Sequence, residues 1–211
     1  FLHFMEETIR KTKQQLVLEG INSSMAYLDY RLMVSNLALE GKSTGSIESQ
    51  EHNDFTRLND QRMKRLDKTI KIDADSEVKI KGIVKKTTWL VLTESWCGDA
   101  AQTLPVMNKI TDLNKNISLR LVLRDENLDL MEQFLSNGAM AIPKLISIDD
   151  TTGKVIGEWG SRPSIAAKMV QDYKSKHGKL TAEFKQDLQL WYNKDKGQNT
   201  VSDLLSLLFL E

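Results

Sequence analysis

Of 211 residues, one is cysteine, three are proline and three are histidine. The lone cysteine, Cys97, excludes an intramolecular disulfide framework and fits a reducing compartment, so the expected location is the cytoplasm. The histidines, His3, His52 and His177, are scattered and have no i,i+4 or cysteine neighbours, so neither a metal nor a cofactor is expected. Basic and acidic residues balance at 29 each, which gives no general electrostatic case for nucleic acid or a membrane as partner. No apolar run approaches the roughly 20 residues of a membrane span, and no secretory leader is expected. There is no internal repeat and no low-complexity stretch. Lys42-Ser43 lacks the rest of a phosphate-loop pattern and any strand leading into it, so it reads as a loop after a helix. What remains is a chain long enough for a substantial core.

The most informative stretch is Thr88–Pro105. Trp89-Leu90-Val91-Leu92 is an apolar run of the kind that makes a buried strand. A polar turn, Thr93-Glu94-Ser95, follows, then Trp96-Cys97-Gly98-Asp99, then Leu104, Met107 and Ile110 at helical spacing. Strand, turn and helix place the thiol at a helix N-terminus, where backbone N–H groups and the helix dipole favour the thiolate. Glu94 and Asp99, two carboxylates close in sequence, push the other way. With no cation or histidine beside Cys97 in sequence, only modest activation is expected. Asp99 suits the first helical turn, where a carboxylate is electrostatically favoured.

Trp96-Cys97-Gly98, Pro105 eight positions after the cysteine, and Ala141-Ile142-Pro143 before an apolar strand together resemble the thioredoxin superfamily. The likeness spans roughly residues 75–175 and is closest to a bacterial thioredoxin-like branch whose motif reads WCGDA. It implies a cis bond at Pro143, with that proline packed against Cys97. It also implies a groove in which Cys97 is accessible, Trp96 and Gly98 line the rim, and Ile142 presents its backbone to an extended peptide. Two departures stand against the family's dithiol chemistry. Ala100 replaces the second cysteine of C-x-x-C, and Val91 occupies the position of the buried aspartate.

The rest of the chain frames this core. Helices are expected over residues 1–19, with Gly20 as a break, and over 24–40, capped from Asn22-Ser23-Ser24. A third is expected over 54–72, with Phe55, Leu58, Met63, Leu66 and Ile70 inward. Its other face, Arg57, Arg62, Lys64, Arg65 and Lys68, reads as solvated; the sharper alternative docks it on the acidic core or an acidic partner. Residues 57–86 hold ten basic and five acidic side chains, and residues 87–160 six and ten. A short helix before Thr88 precedes helix 99–114, strand 118–124, helix 128–136, and a hairpin of strands 144–148 and 154–159. Arg124-Asp125-Glu126-Asn127 reads as a solvated loop, and Ser161 or Ser164 as the cap of the next helix. Phe184, Leu188, Trp191 and Tyr192 share a helix face, and Val201–Leu210 is too apolar to stay in water. The fold expected is α/β: a thioredoxin-like mixed sheet flanked by helices. Its expected parts are an N-terminal helical extension (1–74), a thioredoxin-like domain (75–175) and a C-terminal helical extension (176–211), as monomer or homodimer.

Two functions fit. In the enzymatic reading, a monothiol oxidoreductase, Cys97 exchanges with a protein or peptide disulfide and an external thiol such as glutathione releases it. In the other, the groove of Trp96, Cys97 and Pro143 binds a peptide or protein without catalysis.

Overall fold

A computed structural model describes residues 11–47 and 49–209. The N-terminal part of the expected first helix, with His3, Phe4, Met5 and Ile9, lies outside the described residues. Five strands form one mixed sheet: β1 (Met25–Ala26), β2 (Thr87–Thr93), β3 (Ile117–Leu123), β4 (Lys144–Asp149) and β5 (Val155–Gly160), in the spatial order β1-β3-β2-β4-β5. β2 and β3 are parallel, with Val91 opposite Leu121; β4 is antiparallel to β2 and β5 to β4. The sequence TWLVLT carries no polar alternation because β2 is central and covered on both faces.

Helices α1 (Lys13–Ser23), α2 (Tyr27–Glu40), α3 (Gln50–Thr69) and α4 (Ala74–Lys81) precede β2. Helix α5 (Gly98–Leu113) joins β2 to β3, and the short α6 (Leu128–Glu132) follows β3. Helices α7 (Ser164–His177), α8 (Ala182–Asp195) and α9 (Gln198–Leu208) complete the chain. Among the described residues no helix is long and apolar enough to cross a membrane.

Several local expectations are corrected. Gly20 does not break a helix; it sits inside α1 and lets that helix approach the sheet, since a Cβ there would lie 2.9 Å from a Leu130 methyl and 3.0 Å from a Leu90 methyl. Ser24 ends α1 instead of capping α2, and the chain pairs briefly with β3 as β1 before α2 begins. Helix α6 ends at Glu132, short of the expected Ser136. Neither Ser161 nor Ser164 caps α7. Its first N–H groups donate to α9 instead: Ser164 N to Asp203 Oδ2 (2.7 Å) and Ile165 N to Asn199 Oδ1 (2.9 Å).

The largest correction concerns α3. Phe55 and Leu58 are 38 % and 40 % exposed, whereas Asn53, Thr56, Asn59 and Asp60 are buried along with Met63, Leu66 and, at the C-cap, Ile70. These residues form one stripe at helical spacing. It is apolar where α3 crosses the core and polar where it crosses the turn that carries the cysteine. Arg62 and Arg65 on its basic flank are not simply solvated: Arg62 Nη1 donates to Asn59 Oδ1 (2.9 Å) and Arg65 Nη2 to Asn193 Oδ1 in α8 (2.7 Å).

The main core contains the inner faces of β2, β3 and β4, most of α5, and Val201, Leu204, Leu205 and Leu207 of α9. Phe209 is 56 % exposed. Leu210 lies outside the described residues. A second apolar cluster joins α7 to α8 through Ala166, Val170, Phe184, Leu188 and Tyr192, with Trp191 packed against it.

Candidate functional site

Cys97 is the N-cap of α5 and ends the turn that follows β2. Its sulfur accepts the Ala100 N–H (3.4 Å), and its thiol donates to the Ile142 carbonyl (3.4 Å). The Ile142–Pro143 peptide bond is cis. Ile142 and Pro143 are both buried, so Ile142 does not present an open backbone; its carbonyl already holds the thiol proton. Directly behind them Gly160, at φ +122°, has no room for a side chain, since a Cβ would fall 2.2 Å from the Pro143 carbonyl oxygen. The expected accessible thiol is instead buried, with 8 % of Cys97 exposed. Burial first, and the Asp99 carboxylate second, push this thiol up to about 12, against the pull of the α5 amides and of Arg162.

Asp99 occupies the first turn of α5, where the sequence places it, but it is buried and not solvated. Its Oδ1 accepts the Tyr192 hydroxyl (2.8 Å) and its Oδ2 pairs with Arg162 Nη2 (2.7 Å). Burial pushes its carboxyl upward despite Arg162, and burial together with Asp99 pushes the Tyr192 phenol well upward. Groups distant in sequence thus surround the cysteine and its neighbours Trp96, Gly98 and Asp99. Arg162 arrives from the β5–α7 link, Arg62 from α3, and His52 from the start of α3.

Trp96 is half-buried. His52 stacks on its indole at 4.3 Å with an interplanar angle of 8°, and the Arg124 guanidinium lies 5.0 Å from its ring centre. Residues 124–127 are thus not a free loop. Arg124 pairs with Asp125 (2.7 Å), and the Asp125 N–H donates to Glu94 Oε1 (2.9 Å). Glu94 is fully buried, and its second oxygen has no partner. Burial raises its pKa. Gly98 is half-buried, and Pro105 is buried within α5, eight positions after the cysteine.

The turn itself is held by the N-terminal segments. Ser95 Oγ accepts from Thr44 N (2.9 Å) and bonds Thr56 Oγ1 (2.8 Å); its N–H donates to Thr44 Oγ1 (2.8 Å), and its carbonyl accepts from Asn59 Nδ2 (2.9 Å). Sequence reasoning missed Thr44, Thr56, Asn59, His52, Arg162 and Tyr192. A signal existed for two of them: Thr56 and Asn59 stand at helical spacing before Met63, so small polar residues occupy positions where an amphipathic helix would place its core.

Chemically the arrangement holds a thiol with a donor and an acceptor. It contains no second thiol to resolve a mixed disulfide, since Ala100 stands at that place and Cys97 is the sole cysteine of the chain. The buried Glu94 makes a prediction. A carboxyl raised above its unfolded pKa favours the fold fully only below the ordinary glutamate value of about 4.3 and loses that contribution as pH rises through the folded value. Glu94→Gln should therefore gain stability relative to the unchanged protein as pH rises from 4 to 7. Urea unfolding at both pH values measures it, and a constant difference would refute the assignment.

A mixed sheet with a parallel central pair, a cysteine capping the helix after β2, and a cis-proline loop touching that cysteine define a protein of the thioredoxin-fold class. The model of the thioredoxin family matches residues 47–174, taking in α3 as well as the sheet, and the chain belongs to that family. Two solved structures are similar to it. One is the crystal structure of an HIV epitope-scaffold, at TM-score 0.62 and 15 % identity over 90 % of this chain and 96 % of that one. The other is a protein of unknown function from Pseudomonas aeruginosa, at TM-score 0.59 and 16 % identity over 90 % and 95 %. At these identities the likeness is one of fold. No curated protein matches the chain.

Proposed function

We propose that this protein is a thioredoxin-fold binding module. It holds an extended segment of a protein or peptide in the groove around Trp96, Cys97 and Pro143, and its thiol stays protonated. The observation that carries this reading is the hydrogen bond from the Cys97 thiol to the Ile142 carbonyl. A thiol must lose its proton to act as a nucleophile. With its pKa pushed up to about 12, chiefly by burial, the thiol is protonated at neutral pH. Ala100 in place of a resolving cysteine and Val91 in place of the buried aspartate support the same reading.

Thiol exchange in the folded state separates this reading from the monothiol one. Folded protein incubated with oxidised glutathione at pH 7.5 should stay unmodified by intact-mass measurement over hours, and should react once unfolded in guanidinium. Stoichiometric glutathionylation of the folded protein within minutes would instead establish the monothiol function.

A further inference from the structure

Arg62 is half-buried, its charge is penalised by burial and by Arg65, and among the described residues it has no carboxylate partner. Its one hydrogen bond donates to the Asn59 side-chain oxygen. Asp99 acts on it electrostatically, but both oxygens of Asp99 are engaged, one by Tyr192 and one by Arg162. A second donor faces the same gap. A methyl group built on Gly98 would lie 3.5 Å from Arg62 Nη1 and 3.6 Å from Gln189 Nε2. The Gln189 oxygen is held by Gln102 Nε2 (2.9 Å), which leaves its amide N–H groups directed elsewhere. Arg65, one turn from Arg62, also donates only to a neutral side chain. Of the guanidinium groups near the cysteine, Arg62 is thus the one that faces the space over Gly98, while Arg162 is spent on the adjoining Asp99. Burying a cation without an anion is costly, and a guanidinium fork matches a carboxylate in charge and geometry.

We propose that the gap over Gly98, between Arg62 and Gln189, is a subsite for a carboxylate side chain, so that the segment taken up in the adjoining groove is acidic. This rests on the groove-binding function proposed above. The Arg62 guanidinium, bonded only to the neutral Asn59 side chain, favours an acidic peptide over a neutral or basic one.

The probe is a synthetic pool of blocked seven-residue peptides, randomised at every position and passed over the immobilised full-length protein. The retained peptides should be enriched about fivefold in Asp and Glu at one position. The enrichment should disappear in Arg62→Met, which keeps the length of the side chain, and be partly kept in Arg62→Lys, which keeps the charge. Gly98→Ala should also abolish it: its Cβ meets both donors at ordinary contact distance, so the gap fills while the melting temperature holds. Peptides retained without acidic enrichment, or enrichment unchanged in Arg62→Met, would overturn the subsite and leave the groove standing. No retained peptide at all would overturn the groove reading and the subsite with it.

Discussion

Truncation after Gly197 should leave a chain that no longer unfolds cooperatively. Helix α9 places Val201, Leu204, Leu205 and Leu207 in the main core, each at most 8 % exposed. At roughly 1.5–3 kcal/mol for each fully buried side chain, their removal forfeits about 6–12 kcal/mol. A whole domain is stable by only about 5–15 kcal/mol. The loss is compounded at α7, whose first N–H groups are capped by Asn199 and Asp203, and at the Trp159 indole, which donates to Asp203 (3.3 Å). Leu204→Ala in the full-length chain is the graded version and should cost about 2–5 kcal/mol, the usual range for a buried leucine. Urea unfolding followed by far-UV circular dichroism measures both. A truncated chain with an unchanged midpoint would show that α9 contributes nothing to the core.

Asp99→Ala should cost about 3 kcal/mol, although the residue lies on a helix's first turn where surface carboxylates are usually expendable. The reason is what it leaves behind. Removing one partner of a buried pair strands the other charge, at about 3–5 kcal/mol when burial is complete. The Arg162 side chain keeps 26 % exposure, which puts the expectation at the low end. The Tyr192 hydroxyl also loses its acceptor. Tyr192→Phe alone should cost about 1 kcal/mol, as one hydrogen bond does. The double variant should cost less than the sum, because its members share one network. The same substitution should lower the pKa of Cys97, since the Asp99 carboxylate is one of the two influences that raise it. Additive costs, or a thiol that does not become more acidic, would refute the network.

The sheet and its connections were legible in the sequence because the signals are local. Trp89–Leu92 is an unbroken apolar run, and Asp149–Gly153 turns a hairpin. The cysteine at a helix start and the proline loop that meets it could be read from Trp96-Cys97-Gly98 and Ala141-Ile142-Pro143. What surrounds the thiol could not. Thr44, Thr56 and Asn59 reach the turn from 36 to 51 residues before Ser95, and Tyr192 reaches Asp99 across 93 residues. Local periodicity carries no information about such pairs. Phe55 and Leu58 mislead for a related reason: apolar residues ordinarily mark the buried face of a helix, whereas a buried turn full of N–H and C=O groups needs polar side chains opposite it. The thiol's state is hidden for the same reason. The two carboxylates near it in sequence were visible, but the burial that dominates its acidity is made by segments from both ends of the chain.

The claim that the thioredoxin-type thiol of this protein stays protonated is tested most directly by the pH dependence of alkylation of Cys97. As the sole cysteine, it supplies the whole signal. A group raised in the folded state adds stability that is complete below its unfolded pKa of about 8.5 and is lost as pH rises through the folded value. The alkylation measurement is therefore confined to the pH range in which circular dichroism shows the native fold. The iodoacetamide rate of the folded protein should rise throughout that range with no inflection below pH 10, and at pH 7 it should fall at least about a hundredfold short of the unfolded chain. An inflection at or below pH 8, with folded and unfolded rates comparable at pH 7, would contradict the account and restore thiol exchange as the function of the site.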